Sequence, residues 1–192
     1  PEVADHAMAL LLTLTRNLHF YINVSGSSNE KKHRPIELRK KTALVIGGGG
    51  GIGMLIAERA SAFGMIVYSV EDDIMNMVSF IEKQFTGDQL LEVLPKADVV
   101  FMAAPLTSKT QKIINKKAIS MMKGDSFLIN VCRGETIDTE ALIDALMAGK
   151  FRGVGLDVTD PEPLPKSHLL NSLHRVIITP HVAGPSDWNR VR

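Results

Sequence analysis

A run of five consecutive glycines, Gly47 to Gly51, is the feature that most constrains how this chain can fold. It follows the apolar segment 42–46 and precedes Ile52, Gly53 and a helix-like stretch at 54–63. A dinucleotide-binding unit requires this order of strand, glycine turn and helix. The glycines let the backbone approach a pyrophosphate, and the N-terminal end of the helix faces the anion. The stretch therefore predicts a dinucleotide site at the turn.

An acidic residue lies where such a site needs one. A second apolar run, 65–70, ends in Glu71, about 20 residues after the glycines, where a carboxylate can accept hydrogen bonds from ribose hydroxyls. Asp72 and Asp73 follow it, so a 2′-phosphate would be repelled and NAD is expected in preference to NADP. This context favours the dinucleotide site over the alternative of a glycine-rich surface turn without a ligand.

Composition limits the remaining classes of function. With 192 residues, 45% hydrophobic and 22% charged, the chain can bury one substantial core in one or at most two units. The formal charge of +1 favours neither nucleic acid nor a membrane surface as a partner. The basic residues near 31–41 are interpreted as a solvated linker. Cys132 is the only cysteine, which excludes an internal disulfide and suits a reducing compartment such as the cytoplasm.

The N-terminal segment 1–24 is predicted to be an interdomain or packing helix, because Val3, Ala7, Leu10, Leu14 and other apolar residues recur at helical spacing. It carries no pattern typical of a signal peptide, and no stretch of the chain reaches membrane-spanning length. His6 lies beside the apolar stripe and is interpreted as an ordinary surface or core histidine. Residues 25–37 are expected to form a linker, and 38–192 the main domain.

The rest of the chain alternates between apolar runs and helical patterns. Strands are predicted at 97–104, 126–131, 153–158 and 176–179, and helices near 88–94, 116–122 and 138–148, with some helical content at 71–87. Strands this continuously apolar are buried on both faces. The expected fold is α/β, a doubly wound and mostly parallel Rossmann sheet with helices on both faces.

Four polar residues follow predicted strands: Arg133, Asp157, Glu162 and His181. Ligands of such sheets bind outside the carboxyl ends of the strands. An arginine can hold a carboxylate by two hydrogen bonds, and a histidine with a glutamate beside it can exchange a proton near neutral pH. Each residue alone is also explained as a surface or loop residue. Together they favour a site for a carbonyl compound that carries a carboxylate.

At several positions the sequence resembles the D-isomer-specific 2-hydroxyacid dehydrogenases. Residues 3–12 resemble the interdomain helix of that family, and residues 37–42 resemble the entry to its first strand. Residues 97–115 resemble its fourth strand with the following loop. The segments Asn130-Val-Cys-Arg-Gly-Glu135, Gly155-Leu-Asp-Val-Thr-Asp-Pro-Glu-Pro-Leu-Pro165 and Thr179-Pro-His-Val-Ala-Gly184 resemble its three catalytic segments. The last motifs are specific in combination.

The resemblance implies a role for each matching residue. Arg133 would bind the substrate carboxylate and polarise the carbonyl, His181 would be the general acid or base, and Glu162 would pair with His181. Asp157 would contact the nicotinamide carboxamide and Glu71 the ribose. NAD is the expected cofactor, and no metal is expected. The implied cofactor-binding set is Gly48, Gly50, Gly51, Ile52, Gly53, Glu71, Ala104, Pro105, Thr110, Val131, Cys132, Arg133, Asp157 and His181.

The sequence departs from the family pattern in two ways. Counted from Lys41 the first family glycine is Gly47, but counted back from Gly53 it is Gly48, so the turn holds one extra residue. The N-terminal substrate-binding half of the family has no counterpart in this chain. We therefore expect the chain to bind NAD weakly, to lack turnover alone, and to expose apolar surface around Leu10, Leu11 and Leu14.

Two functions and one weaker alternative remain. The first is the cofactor and catalytic domain of an NAD-dependent oxidoreductase for a small 2-keto or 2-hydroxy acid, with residues 157–165 most similar to glyoxylate/hydroxypyruvate reductases. The second is an NAD-sensing corepressor-type module of the same family. A homodimer is implied in both cases. Short-chain dehydrogenases are disfavoured, since neither Tyr21 nor Tyr68 has a lysine four residues on.

Overall fold

The computed structural model describes residues 1–22, 34–72 and 78–185. The predicted linker 25–37 lies mostly outside the described residues, as do Asp73 and residues 186–192. The division of the chain into an N-terminal helix, a linker and a main domain stays a prediction.

Seven strands and six helices make up the described parts of the chain. The strands are β1 Thr42–Ile46, β2 Ile66–Glu71, β3 Lys83–Thr86, β4 Val99–Met102, β5 Phe127–Asn130, β6 Gly153–Leu156 and β7 Val176–Ile178. The helices are α1 Glu2–Arg16, α2 Leu18–Tyr21, α3 Gly51–Ala62, α4 Leu90–Val93, α5 Lys116–Met121 and α6 Thr139–Met147. Short 3₁₀ turns occupy Gly87–Gln89, Leu94–Lys96, Gly134–Thr136 and Leu169–Ser172.

All seven strands pair in parallel, in the order β3-β2-β1-β4-β5-β6-β7. The doubly wound α/β prediction is confirmed. The strand order changes direction at β1, so a crevice opens between the loops that follow β1 and β4. In sheets of this type that crevice is where ligands bind.

The expectation of helical content at 71–87 is wrong for Lys83–Thr86, which form the edge strand β3. Its sequence, Lys-Gln-Phe-Thr, has no continuous apolar run, because an edge strand is only partly covered. Phe85 packs against Tyr68 of β2, with ring centroids 5.6 Å apart. That contact across strands holds β3 in the sheet and is not visible as a local pattern.

Apolar side chains cover both faces of the sheet. Leu44 and Ile46 of β1 face a core shared with α4, α5 and α6, whereas Ala43 and Val45 face a second core shared with α1 and α3. Successive strand residues point to opposite faces, so a buried strand must be apolar at every position. This explains the continuous apolar runs of β1, β4 and β5.

The predicted N-terminal helix forms and packs on the domain as α1, ending where Asn17 adopts a left-handed conformation, φ 58°. The expected apolar surface around Leu10, Leu11 and Leu14 is not present, because these side chains are 4%, 0% and 4% exposed within this chain. Leu10 and Leu14 contact β6 at Gly155 and Gly153, where a β-carbon would lie 3.0 and 2.8 Å from them. The two glycines let α1 approach the sheet closely.

In the parts of the chain that the structure describes, no helix combines the length and apolar character needed to cross a bilayer.

Candidate functional site

The glycine turn is built around Gly47 and Gly53. Gly47 has φ +87°, and a β-carbon there would lie 2.6 Å from the Ala104 backbone. A β-carbon on Gly53 would lie only 1.9 Å from the Gly47 carbonyl oxygen. Gly47 and Gly53, where the added carbon would strike backbone atoms, are six residues apart, one more than in G-x-G-x-x-G; at Gly48 it would instead lie 2.7 Å from the Ser69 β-carbon. The structure thereby assigns the first glycine to Gly47, which the predicted cofactor set omitted.

A groove of about 710 Å³ follows the carboxyl ends of β1, β2 and β4. We call it the nucleotide groove. The predicted cofactor residues Gly50, Glu71, Ala104, Pro105 and Thr110 line it, together with Gly47, Asp72, Lys109 and others. Gly50 precedes the first residue of α3, so the helix N-terminus with its free N–H groups borders the groove.

Glu71 is held against the glycine turn. Its Oε1 accepts a hydrogen bond from the Gly49 backbone N–H. Burial raises the pKa of the Glu71 carboxyl, with the Gly49 N–H opposing this change and the charge of Asp72 adding to it. Asp72 in turn forms an exposed ion pair with Lys109, 3.3 Å between Oδ2 and Nζ. The mouth of the groove is therefore acidic, with one lysine beside it.

The loop after β4 closes the other side of the nucleotide groove. Thr110 Oγ1 donates to the Pro105 carbonyl oxygen at 2.6 Å, and the Thr107 backbone N–H donates to Thr110 Oγ1 at 2.7 Å. These contacts fold residues 105–110 into a compact turn. Ala104, buried just before it, contacts the backbone of Gly47.

A second groove, of about 580 Å³, contains two of the three predicted catalytic residues, Arg133 and His181, and is called the catalytic groove here; Glu162 lines a separate pocket beside His181. Arg133 comes from the loop after β5, Asp157 follows β6, and His181 follows β7. Its lining is Val3, Ile52, Val131, Arg133, Asp157, His181, Ala183, Gly184 and Pro185. Because parallel strands end at one edge of the sheet, three distant segments of sequence meet in one groove.

His181 and Glu162 form a direct pair. Nδ1 of His181 lies 2.6 Å from Oε1 of Glu162, and both side chains are partly exposed. The predicted pairing is thus present in the geometry. Because Nδ1 is engaged by a carboxylate, Nε2 is the nitrogen left to exchange a proton with a bound molecule.

Asp157 is 1% exposed and fixes the loop that carries His181. Its Oδ1 accepts from Thr179 Oγ1 at 2.6 Å and from the Val182 N–H at 3.0 Å, and its Oδ2 accepts from the Ala183 N–H at 3.0 Å. The His181 N–H donates to the Asp157 carbonyl oxygen at 2.9 Å. These contacts leave the Asp157 side chain fully buried, so it holds residues 179–183 in place from inside the site.

Arg133 lies in a turn fixed by Asn130. Asn130 Nδ2 donates to the Arg133 carbonyl oxygen at 2.9 Å, and Asn130 Oδ1 accepts from the Cys132 N–H at 3.1 Å. The Arg133 guanidinium is exposed and donates from Nη1 to the Cys132 carbonyl oxygen at 2.6 Å. Its other N–H donors are available to a ligand. Asn130 was missed at the sequence level, although it precedes the turn within the quoted motif.

Some predicted cofactor residues do not line either groove. The Cys132 side chain is buried within the turn, with Sγ 3.1 Å from Asn130 Oδ1, and burial raises the pKa of its thiol. Gly48 and Gly53 are buried, and Gly48 packs against Ser69. Gly51 is exposed, with no atom within 4 Å of the β-carbon it lacks. Among the described residues, no three His, Cys, Asp or Glu side chains are arranged to hold a metal ion.

A Rossmann-type sheet with a glycine turn, an acid after β2 and an Arg, Glu and His at strand ends defines the class of dinucleotide-binding domains with polar groups beside the cofactor site. Residues 8–183 match the family described as D-isomer specific 2-hydroxyacid dehydrogenase, NAD binding domain. The chain belongs to this family, and the predicted resemblance is confirmed.

Individual relatives agree with that assignment. The chain is 38% identical over 199 residues to a glyoxylate reductase of Pyrococcus furiosus, covering 94% of this chain and 56% of the relative. It is 38% identical to a D-3-phosphoglycerate dehydrogenase of Methanocaldococcus jannaschii, covering 97% of this chain and 36% of the relative. The TT0316 protein of Thermus thermophilus superposes with a TM-score of 0.88 at 34% identity, covering 98% of this chain and 60% of that protein. The chain therefore spans only part of each of these relatives.

Proposed function

We propose that this chain binds NAD(H) and supplies the catalytic residues for hydride transfer between that cofactor and a small 2-keto or 2-hydroxy acid. The observation that carries the proposal is the catalytic groove, where Arg133 and His181 face the same space and His181 is paired with Glu162. These residues provide an anchor for a carboxylate and an acid or base for an adjacent carbonyl oxygen.

The nucleotide groove fits the cofactor. The close approach of Gly47 to Ala104 and of Gly53 to the Gly47 carbonyl leaves the start of α3 open to a pyrophosphate. Glu71 would accept the ribose hydroxyls, and the family resemblance assigns the nicotinamide carboxamide to Asp157, which borders the catalytic groove. Arg133, His181 and Ile52 line the adjoining catalytic groove. When bound, the nicotinamide supplies or accepts the hydride.

In the reductive direction, Arg133 holds the carboxylate of the keto acid through its free N–H donors and stabilises negative charge on the carbonyl oxygen. His181 donates the proton from Nε2 to that oxygen as the new C–H bond forms at the carbonyl carbon. Glu162 keeps the Nδ1 proton in place and so fixes the tautomer. In the oxidative direction, His181 Nε2 accepts the hydroxyl proton of the 2-hydroxy acid.

Glyoxylate and hydroxypyruvate are the substrates we propose first. The segment 157–165 resembles that of glyoxylate/hydroxypyruvate reductases, and relatives named glyoxylate reductase align over most of this chain. The resemblance also supports a homodimer and a cytoplasmic location as further parts of the proposal. A corepressor-type module that senses NAD is the competing function.

The test is NADH oxidation by the protein that contains this chain, assayed with glyoxylate, hydroxypyruvate and pyruvate. Arg133→Lys should lower kcat/KM by more than about tenfold, equal to about 1.4 kcal/mol of barrier, since an ammonium cannot make the two-point carboxylate contact. Arg39→Lys is the matched control, because Arg39 is exposed and pairs with Glu37 outside both grooves.

Two results would contradict the proposal. Turnover of none of the three acids, together with dimerisation that depends on NADH, would favour the corepressor-type function. Equal kcat/KM for Arg133→Lys and Arg39→Lys would remove Arg133 from the substrate site. The 192-residue chain alone is expected to bind NADH weakly without steady turnover, because Arg133 and His181 are exposed in the catalytic groove and water reaches them.

A further inference from the structure

Hydrogen bonds among His6, Thr179 and Asp157, called the His6 relay here, connect helix α1 to the loop that carries His181. His6 Nε2 lies 2.9 Å from Thr179 Oγ1, across 173 residues of sequence. Thr179 Oγ1 lies 2.6 Å from Asp157 Oδ1. His6 Nε2 is also 3.4 Å from Asp157 Oδ1, and the His6 side chain is 22% exposed. The surface or core interpretation of His6 from sequence therefore missed a specific contact.

The donor in each hydrogen bond of the His6 relay follows from the number of protons available. An ionised Asp157 only accepts, so the Thr179 hydroxyl gives its single proton to Oδ1. The Thr179 oxygen is then free to accept, and the donor has to be His6 Nε2–H. The geometry assigns neutral His6 to the tautomer with its proton on Nε2.

The contact acts on the part of the site where chemistry occurs. Thr179 is two residues before His181. The Asp157 carboxylate also accepts hydrogen bonds from the backbone N–H groups of the two residues that follow His181, Val182 and Ala183. Helix α1 also reaches the site directly, because Val3, one turn before His6, lines the catalytic groove. A change at His6 should therefore be felt at Asp157 and in the loop 179–183.

We propose that His6 is a positioning residue for the nicotinamide end of the site, acting through Thr179 on Asp157 and on the His181 loop. This rests on the proposed function. A histidine that only packs could be replaced by any apolar residue of similar size. A positioning histidine needs its N–H donor, and the difference can be measured.

The first experiment compares NADH with ADP-ribose, which lacks the nicotinamide, as ligands of this chain in calorimetric titrations. His6→Leu removes the donor but keeps bulk, and should raise the Kd for NADH about fivefold, the size of one lost hydrogen bond. The Kd for ADP-ribose should stay within about twofold of the unaltered chain. His6→Gln, whose Nε2 amide can donate in the same place, should restore NADH binding.

Three further variants check the path of the effect. Thr179→Val should reproduce the NADH defect, and His6→Leu combined with Thr179→Val should be no worse than Thr179→Val alone. Asp5→Asn is the matched control on α1. It breaks the Asp5–Arg59 ion pair, 2.7 Å, without touching the relay, and should leave both Kd values unchanged.

The outcomes separate this inference from the proposed function. If the unaltered chain binds NADH and His6→Leu binds it equally well, the positioning role alone is refuted. It is also refuted if His6→Leu weakens the binding of NADH and of ADP-ribose by the same factor. Failure of the unaltered chain to bind either ligand would refute the proposed function and this role with it.

A second measurement needs no cofactor. Nitrogen-15 NMR of the imidazole rings in mildly alkaline solution should show the His6 proton on Nε2. The His6 signal is identified by its loss in His6→Gln. A proton on Nδ1 would overturn the relay whatever the titrations show.

Discussion

Alanine at Gly53 should disrupt the nucleotide-binding turn, whereas alanine at Gly51, in the same helix, should not. The new β-carbon at Gly53 would lie 1.9 Å from the Gly47 carbonyl oxygen and 2.7 Å from its carbon. Carbon and carbonyl oxygen approach to about 3.3 Å at closest, so the turn would have to move by more than about 1 Å. At Gly51 nothing lies within 4 Å of the added carbon.

Both substitutions gain helix propensity, and only Gly53→Ala adds a steric clash. Alanine in place of glycine inside a helix gains up to about 1 kcal/mol, less near the helix start. Overpacking against backbone costs about 1–3 kcal/mol. Gly53→Ala should therefore lose about 1–2 kcal/mol net, while Gly51→Ala should be neutral or slightly stabilised. For a chain of this length each kcal/mol moves Tm by about 2–4 °C.

Thermal unfolding followed by circular dichroism measures this difference, and NADH titration measures its consequence. Gly53→Ala should lower Tm by about 2–8 °C and weaken NADH binding at least about tenfold, since Gly47 lines the nucleotide groove. Gly51→Ala should keep Tm, so any loss of NADH affinity there reports contact with the pyrophosphate. Equal Tm values for the two variants would refute the assignment of Gly53 as the packing glycine of the turn.

Three other predictions follow from the acids of the nucleotide groove and from the cysteine. Glu71→Gln should raise Tm at neutral pH. Burial raises the pKa of the Glu71 carboxyl, so its charged form lowers stability above that raised pKa, and the advantage of glutamine should vanish below the usual pKa of 4.5. A variant less stable than the unaltered chain at pH 7 would contradict this. NADPH should bind at least about tenfold more weakly than NADH, because Glu71 and Asp72 border the groove; equal Kd values in parallel titrations would be inconsistent with that. Cys132 should resist iodoacetamide in the native chain and react after denaturation, because the residue is 8% exposed and burial raises the pKa of its thiol. Fast labelling of the native chain, measured by mass spectrometry, would argue against a buried thiol.

Most of the sheet was predictable because its strands are buried on both faces. A strand such as β4, Val-Val-Phe-Met, has to be apolar at every position, and the helices between such strands show their own spacing. Strand β3 was missed for the opposite reason. As an edge strand it holds its place through Phe85 against Tyr68, and neither a local run nor an alternation marks it.

The catalytic groove was predictable from order along the chain. Arg133, Asp157 and His181 each follow a strand, and parallel strands deliver the residues after them to one edge. The sequence by itself therefore determined which chemical groups would meet. Through Glu71 and the glycine run, it also determined that these groups would lie beside a dinucleotide site.

Only the tertiary structure decided how those groups are held. The choice between Gly47 and Gly48 depended on which β-carbon would strike Ala104, and the burial of Leu10 and Leu14 depended on two glycines of β6. The contact of His6 with Thr179 joins residues 173 positions apart. Periodicity and strand order are local properties that a sequence displays directly. Steric fit and hydrogen bonds between distant segments exist only once the chain has packed, so no pattern along the sequence records them.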